Sequence, residues 1–106
     1  MKYRYKKNGE LEVFQSIWTT RSHTSFVSGL PIREFSVWNF AHVLNKNVYP
    51  DQRLNEKNIV LLLPAEHFLL DHGTQKDREV YAQKNQPCDW SLIDNLKDEL
   101  RSSLRR

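Results

Sequence analysis

Asn39-Phe40-Ala41-His42-Val43-Leu44-Asn45-Lys46, then Asn58-Ile59-Val60-Leu61-Leu62-Leu63-Pro64 and Glu66-His67, closed by Asp71-His72-Gly73, is the stretch that decides the fold. Phe35 to Val43 is rich in aromatic and β-branched residues, which fit a pleated, half-buried surface, so it reads as a strand. Asn58 to Leu63 is short, almost wholly apolar and bounded by polar residues and Pro64, the pattern of a buried strand. Residues 44–57 between them form a polar loop containing Tyr49-Pro50-Asp51, and a loop of that length is more often functional or compact than idle. Pro64 suits the first helical position, Glu66 suits the positive end of the helix dipole and Gly73 offers a stop, so 64–72 reads as a short helix. The result is a strand–loop–strand–helix unit over about 35–73.

Outward from this unit, Asn8-Gly9 marks a turn, and Leu11, Phe14, Ile17 and Trp18 recur at helical spacing, predicting an amphipathic helix over 10–19. Ser28-Gly29-Leu30-Pro31 is a further turn. Helices are predicted over about 76–84 and 91–104. Ser91 and Asp94 are spaced as a capping box, and Leu92, Leu96, Leu100 and Leu104 form an apolar stripe. With no internal repeat and no dividing linker, residues 1–106 read as a single α+β domain.

Composition agrees. The chain has 106 residues, 39% hydrophobic and 27% charged, a balance that favours a soluble folded domain over a disordered one. A net charge of +3 and a pI near 9.1 lean towards a polyanionic partner. Lys2, Arg4, Lys6 and Lys7 at one end, and Arg101, Arg105 and Arg106 at the other, are either a DNA footprint or solvated ends. One cysteine, Cys88, excludes an internal disulfide and a Cys-rich zinc site, and reads as a packed or partly exposed thiol. No apolar run approaches the ~20 residues that span a bilayer. The charged first residues are followed by no hydrophobic signal core, so no membrane association and a reducing cytoplasm are expected.

Four polar residues of the central unit carry possible chemistry. His42 ends the first strand and Asn58 opens the second. His67 and Asp71, four residues apart on the short helix, project from one face and could share a divalent cation. A neutral imidazole facing that cation is a suitable base near pH 7 for phosphodiester hydrolysis, and an Asn amide could pin the loop that aims it.

The segments 39–46, Tyr49-Pro50, Arg53-Leu54, 58–62 and Glu66-His67, with Phe14-Gln15-Ser16-Ile17-Trp18 and Ser25-Phe26-Val27-Ser28-Gly29 upstream, resemble the HNH endonucleases. In particular the chain looks like the small HNH-like proteins of bacteriophages, and the likeness covers residues 14–72. The resemblance implies a ββα-metal (His-Me finger) core flanked by N- and C-terminal helices. It puts His42 at the general-base position, Asn58 at the loop-fixing position, His67 at a metal-ligand position and Asp71 where some members place a further ligand. It also implies one divalent ion, with Mg, Mn, Ni and Zn not distinguished, no small-molecule cofactor, DNA as substrate, and the cytoplasm of a bacterial host.

Two departures from the family stand out. The acidic ligand that often precedes the base is Ala41 here, and Asn39 is the nearest substitute. The two Cys pairs of the usual structural zinc are replaced at Leu63 and Glu66, and near Phe26 and Gly29, so no structural zinc is expected and apolar packing by Leu63, Phe26 and Trp38 takes its place. Lys46, Arg53 and Lys57 decorate the loop as candidate phosphate clamps. Structural roles are expected for His72, at the helix C-terminus, and for His23, in a turn. The rival reading is a catalytically inactive HNH scaffold that binds nucleic acid or a host protein. RNA cleavage is a third possibility.

Overall fold

The structure, a computed structural model, describes residues 9–105. The basic residues Lys2, Arg4, Lys6, Lys7 and Arg106, and Asn8 of the first turn, lie outside the described residues.

Two strands, β1 (Phe40–His42) and β2 (Ile59–Leu61), pair antiparallel, with Phe40 opposite Leu61, Ala41 opposite Val60 and His42 opposite Ile59. The strand period of two sends alternate side chains to opposite faces. Phe40, Ile59 and Leu61 pack with Phe14, Ile17 and Ile32. Ala41, Val43, Val60 and Leu62 pack with Val27, Ile93 and Leu100. The small sheet is therefore covered on both faces, which explains why 59–62 is apolar throughout instead of alternating. Each fully buried Ile or Leu here contributes about 1.5–3 kcal/mol.

The first cover is helix α1 (Glu10–Thr20), which buries Glu10, Phe14 and Ile17 along one stripe. Gly9 caps it at φ 81, a left-handed conformation that glycine adopts without penalty. Helix α2 (Pro64–His72) follows β2 directly. Helix α3 (Gln75–Lys84) begins at a capping box between Thr74 and Asp77, and the hydrogen bonds from Thr74 hold the Asp77 carboxyl below its ordinary pKa. The opposite cover is α4 (Ser91–Leu104). The described residues thus form an α+β protein with four α-helices and a two-stranded antiparallel sheet. No helix among them is long and apolar enough to cross a membrane.

Several sequence expectations need correction. The strand expected over Phe35–Val43 is confined to Phe40–His42, because Ser36 Oγ accepts from Trp38 N and bends residues 37–39 into a 3₁₀ turn. Trp38, expected in the core, is 65% exposed. The loop before β2 holds two further 3₁₀ turns, Pro50–Gln52 and Glu56–Asn58. Helix α4 starts after Trp90 without the Ser91–Asp94 capping box; Asp89 Oδ1, just outside the helix, accepts from the Ser91 amide and hydroxyl. Its buried positions are Ile93 and Leu100, whereas Leu92 and Leu104 stay exposed. Gly73 ends α2 in extended backbone; what it provides is space, since a Cβ there would meet Leu69 O at 2.7 Å.

Of the apolar packing expected from Leu63, Phe26 and Trp38, only Leu63 lies against the core, and beside it is a buried polar knot. Glu66 is 0% exposed. Its Oε1 accepts from Ser25 Oγ at 2.6 Å and Leu63 N at 2.8 Å, and its Oε2 accepts from Ser28 Oγ at 2.6 Å and Tyr81 Oη at 2.8 Å. Burial and the Glu66 carboxylate push the Tyr81 phenol far up, which keeps it a donor. Four donors satisfy one buried carboxylate and tie the 25–28 turn, α2 and α3 together. Phe26, by contrast, remains exposed.

Candidate functional site

A cleft of about 480 Å³ opens beside the sheet, lined among others by Trp38, His42, Lys46, His67, Asp71 and Lys97. Its residues arrive from β1, from the loop after β1, from α2 and from α4. The expected trio of His42, His67 and Asp71 therefore shares one concavity.

His42 lies at the end of β1, with only 10% of its side chain exposed. Its Nε2 is 2.8 Å from Arg53 O. A carbonyl only accepts, so Nε2 carries the proton and Nδ1 is the basic nitrogen. Burial lowers the His42 pKa below its ordinary value of 6.5, and the hydrogen bond to Arg53 opposes that shift. Lys46 and His67 lower it further, while Glu10 raises it. The imidazole is accordingly neutral at pH 7.

Asn58 fixes the loop behind His42. Its Oδ1 accepts from Leu44 N at 2.6 Å, and its Nδ2 donates to Leu44 O and Gln52 O, both at 3.1 Å. Val43 N donates to Asn58 O at 2.8 Å. These bonds prolong the β1–β2 pairing by side-chain means and close the two limbs of the loop immediately beyond His42.

On α2, His67 Nδ1 donates to Trp38 O at 2.8 Å, and His67 Nε2 lies 3.1 Å from Asp71 Oδ2. A backbone carbonyl on one ring nitrogen is the arrangement that orients a ligating imidazole and leaves the other nitrogen to face a cation. No group of three His, Cys, Asp or Glu side chains among the described residues could hold a metal ion. Two donors on one helix face do not make a closed structural site, and in this structure His67 Nε2 and Asp71 Oδ2 are paired with each other.

The remaining candidates fall elsewhere. Asn39 is buried, and its side-chain Nδ2 donates to Leu62 O at 3.0 Å while its backbone carbonyl accepts from Leu62 N at 2.8 Å. Its side chain ties the 3₁₀ turn before β1 to the residue after β2, outside the lining of the cleft. Lys46 and Arg53 both turn towards Glu10, with nitrogen–oxygen distances of 3.0 Å and 3.8 Å. Lys57 lines a separate hollow with Arg21 and Leu61. His72 lines the cleft from an exposed position, its ring 5.2 Å from Phe68. His23 stacks on Trp18 at 3.5 Å and its Nε2 bonds Trp18 O, a structural role. Cys88 is half-buried, and burial pushes its thiol up, away from the reactive thiolate.

Two residues of the site escape a reading of the sequence. Glu10 looks like an ordinary acidic first-turn residue. Lys97 looks like one charge among many on an amphipathic helix, and no local pattern distinguishes either. Comparison of the chain with protein-family models, curated proteins and solved structures gives no match.

Proposed function

We propose that this chain is a metal-dependent endonuclease of the HNH type, built on a ββα-metal core, that hydrolyses a DNA phosphodiester and nicks one strand. The observation that carries the reading is the common cleft. A neutral strand imidazole, His42, and a His67–Asp71 donor pair on the helix after the sheet line the same concavity.

In this reading His42 Nδ1 takes a proton from water. The water oxygen forms the new bond to phosphorus, the bond from phosphorus to the 3′ oxygen breaks, and the departing oxygen is protonated by solvent. The products are a 5′-phosphate and a 3′-hydroxyl. General-base assistance of this kind is worth roughly 10²–10⁴-fold. His67 and Asp71 would hold the cation, whose charge neutralises the phosphoryl oxygens and the leaving 3′ oxygen. Asn58 keeps the loop, and with it Arg53 O, in place behind the base. Lys97 and Lys46 give the cleft a cationic wall for the phosphate backbone.

A second reading has a specific observation behind it. Ala41 occupies the place of an acidic ligand, and Asn39 spends its amide on Leu62 O. A two-donor site of this kind also suits an inactive scaffold that binds nucleic acid or a host protein. Supercoiled plasmid incubated with the protein and Mg, Mn, Ni or Zn, against a chelator control, decides between them. Conversion to the open circle in at least one metal supports the nuclease. Plasmid binding without nicking in all four supports the scaffold.

A further inference from the structure

Glu10 is the first residue of α1, and its side chain is fully buried. Carboxylates are rarely buried unless they are paired, because the desolvation cost is several kcal/mol. The positive end of α1 favours the charge. Two cations face it from the loop: Lys46 Nζ at 3.0 and 3.3 Å from its two oxygens, and Arg53 Nε at 3.8 Å. A further neighbour is His42, whose Nε2 lies 3.9 Å from Glu10 Oε2.

This encounter follows from the packing of α1 on the sheet. Phe14, one turn beyond Glu10, stacks on Phe40 at 4.5 Å and tilts against the His42 ring at 6.3 Å. His42 and Phe40 share a face of β1, so the contact that seats α1 on Phe40 carries Glu10 to His42. The protonated nitrogen of His42 then has two acceptors near it, Arg53 O and the Glu10 carboxylate. The basic nitrogen has neither.

We infer that Glu10 is a positioning residue for His42: together with Arg53 O it keeps the proton on Nε2, and its charge supports the imidazolium formed when Nδ1 accepts a proton. The inference deepens the general-base reading and rests on it for catalytic meaning. Lys46 and Arg53 are ion-paired with Glu10 and offset part of its field at His42. His67, on α2, is the other titratable group that acts on His42, and it opposes protonation. The net effect of Glu10 is therefore partial. The same pairing makes Lys46 and Arg53 companions of Glu10 before they are phosphate clamps.

The test is a titration of the His42 ring by NMR in the full chain, with the pH–rate profile of plasmid nicking beside it. In Glu10→Gln the His42 midpoint should fall by about one pH unit, because the imidazolium loses its carboxylate and faces Lys46 and Arg53 uncompensated. The acid limb of the rate profile should move down with it, and the plateau rate should drop at least tenfold. A folded Glu10→Gln protein with an unchanged His42 titration overturns the inference. Should that variant not fold, Lys46→Met at an exposed side chain carries the same question. His42 should then titrate higher, and an unmoved midpoint overturns the coupling. A wild-type protein that nicks no substrate removes the nuclease reading, yet the ring titration still decides the role of Glu10.

Discussion

Asn58 and Leu44 exchange two hydrogen bonds across the mouth of the loop, Oδ1 with Leu44 N at 2.6 Å and Nδ2 with Leu44 O at 3.1 Å. The side-chain amide thus does what a strand backbone would do one residue further along. Asn58→Ala orphans both Leu44 groups and removes one bond to Gln52 O. Because each buried unsatisfied group costs about 1–3 kcal/mol, a loss of roughly 3 kcal/mol is expected in urea denaturation. Asn58→Asp should be at least as damaging, since it turns an acceptor towards Leu44 O and Gln52 O. Any protein of either variant that remains folded should nick more slowly than wild type, because Arg53 O no longer holds His42.

The Glu66 knot should govern stability without help from a metal. Glu66→Ala leaves the hydroxyls of Ser25, Ser28 and Tyr81 and the amide of Leu63 without their shared acceptor. The expected cost is about 3–5 kcal/mol, the range for breaking a buried charged network. Thermal melts check it: Glu66→Ala should melt well below wild type, while a chelator added to wild type should leave Tm unchanged. A chelator-induced fall of several degrees that persists in His67→Ala, which lacks the proposed cation ligand, would mean that a metal, and not this carboxylate, fastens the junction.

The depressed His42 pKa makes two pH predictions with worked signs. Activity needs the neutral ring, so the rate should rise with pH through the folded-state pKa. The acid limb of the profile should lie below 6.5, with full base available at pH 7. For stability, the unfolded chain binds the proton at higher pH than the folded one. The contribution from His42 is therefore complete above pH 6.5 and declines as pH falls from there to the folded-state pKa. Urea midpoints measured from pH 7.5 down to 5 should show this decline, and His42→Gln should flatten it.

Much of the fold is legible locally. The apolar run 59–62 marks β2, Pro64 and Gly73 bracket α2, and the four-residue spacing of His67 and Asp71 puts them on one helix face. What is not legible depends on choices between competing local bonds or on distant contacts. Residues 35–39 have strand-like composition, but a single hydroxyl, Ser36 Oγ, turns them into a 3₁₀ segment and leaves Trp38 in solvent. In α4, Ile93 joins Leu96 and Leu100 on the packed face while Leu92 and Leu104 stay exposed, because a strict four-residue spacing drifts round a helix of 3.6 residues per turn. Glu10 is buried only because Lys46, Arg53 and His42 reach it from far along the chain. Ser25, Ser28 and Tyr81 look like surface polar residues until Glu66 gathers them.

The most direct test of the site is plasmid nicking by His42→Ala under whichever metal supports wild-type cleavage. His42 is at the edge of the sheet and partly reachable from the cleft, so the variant should fold, and it retains His67, Asp71 and the cationic wall for binding. The expected result is a rate at least 100-fold below wild type with DNA binding nearly unchanged. Cleavage by folded His42→Ala at the wild-type rate would contradict the assignment of His42 as the base.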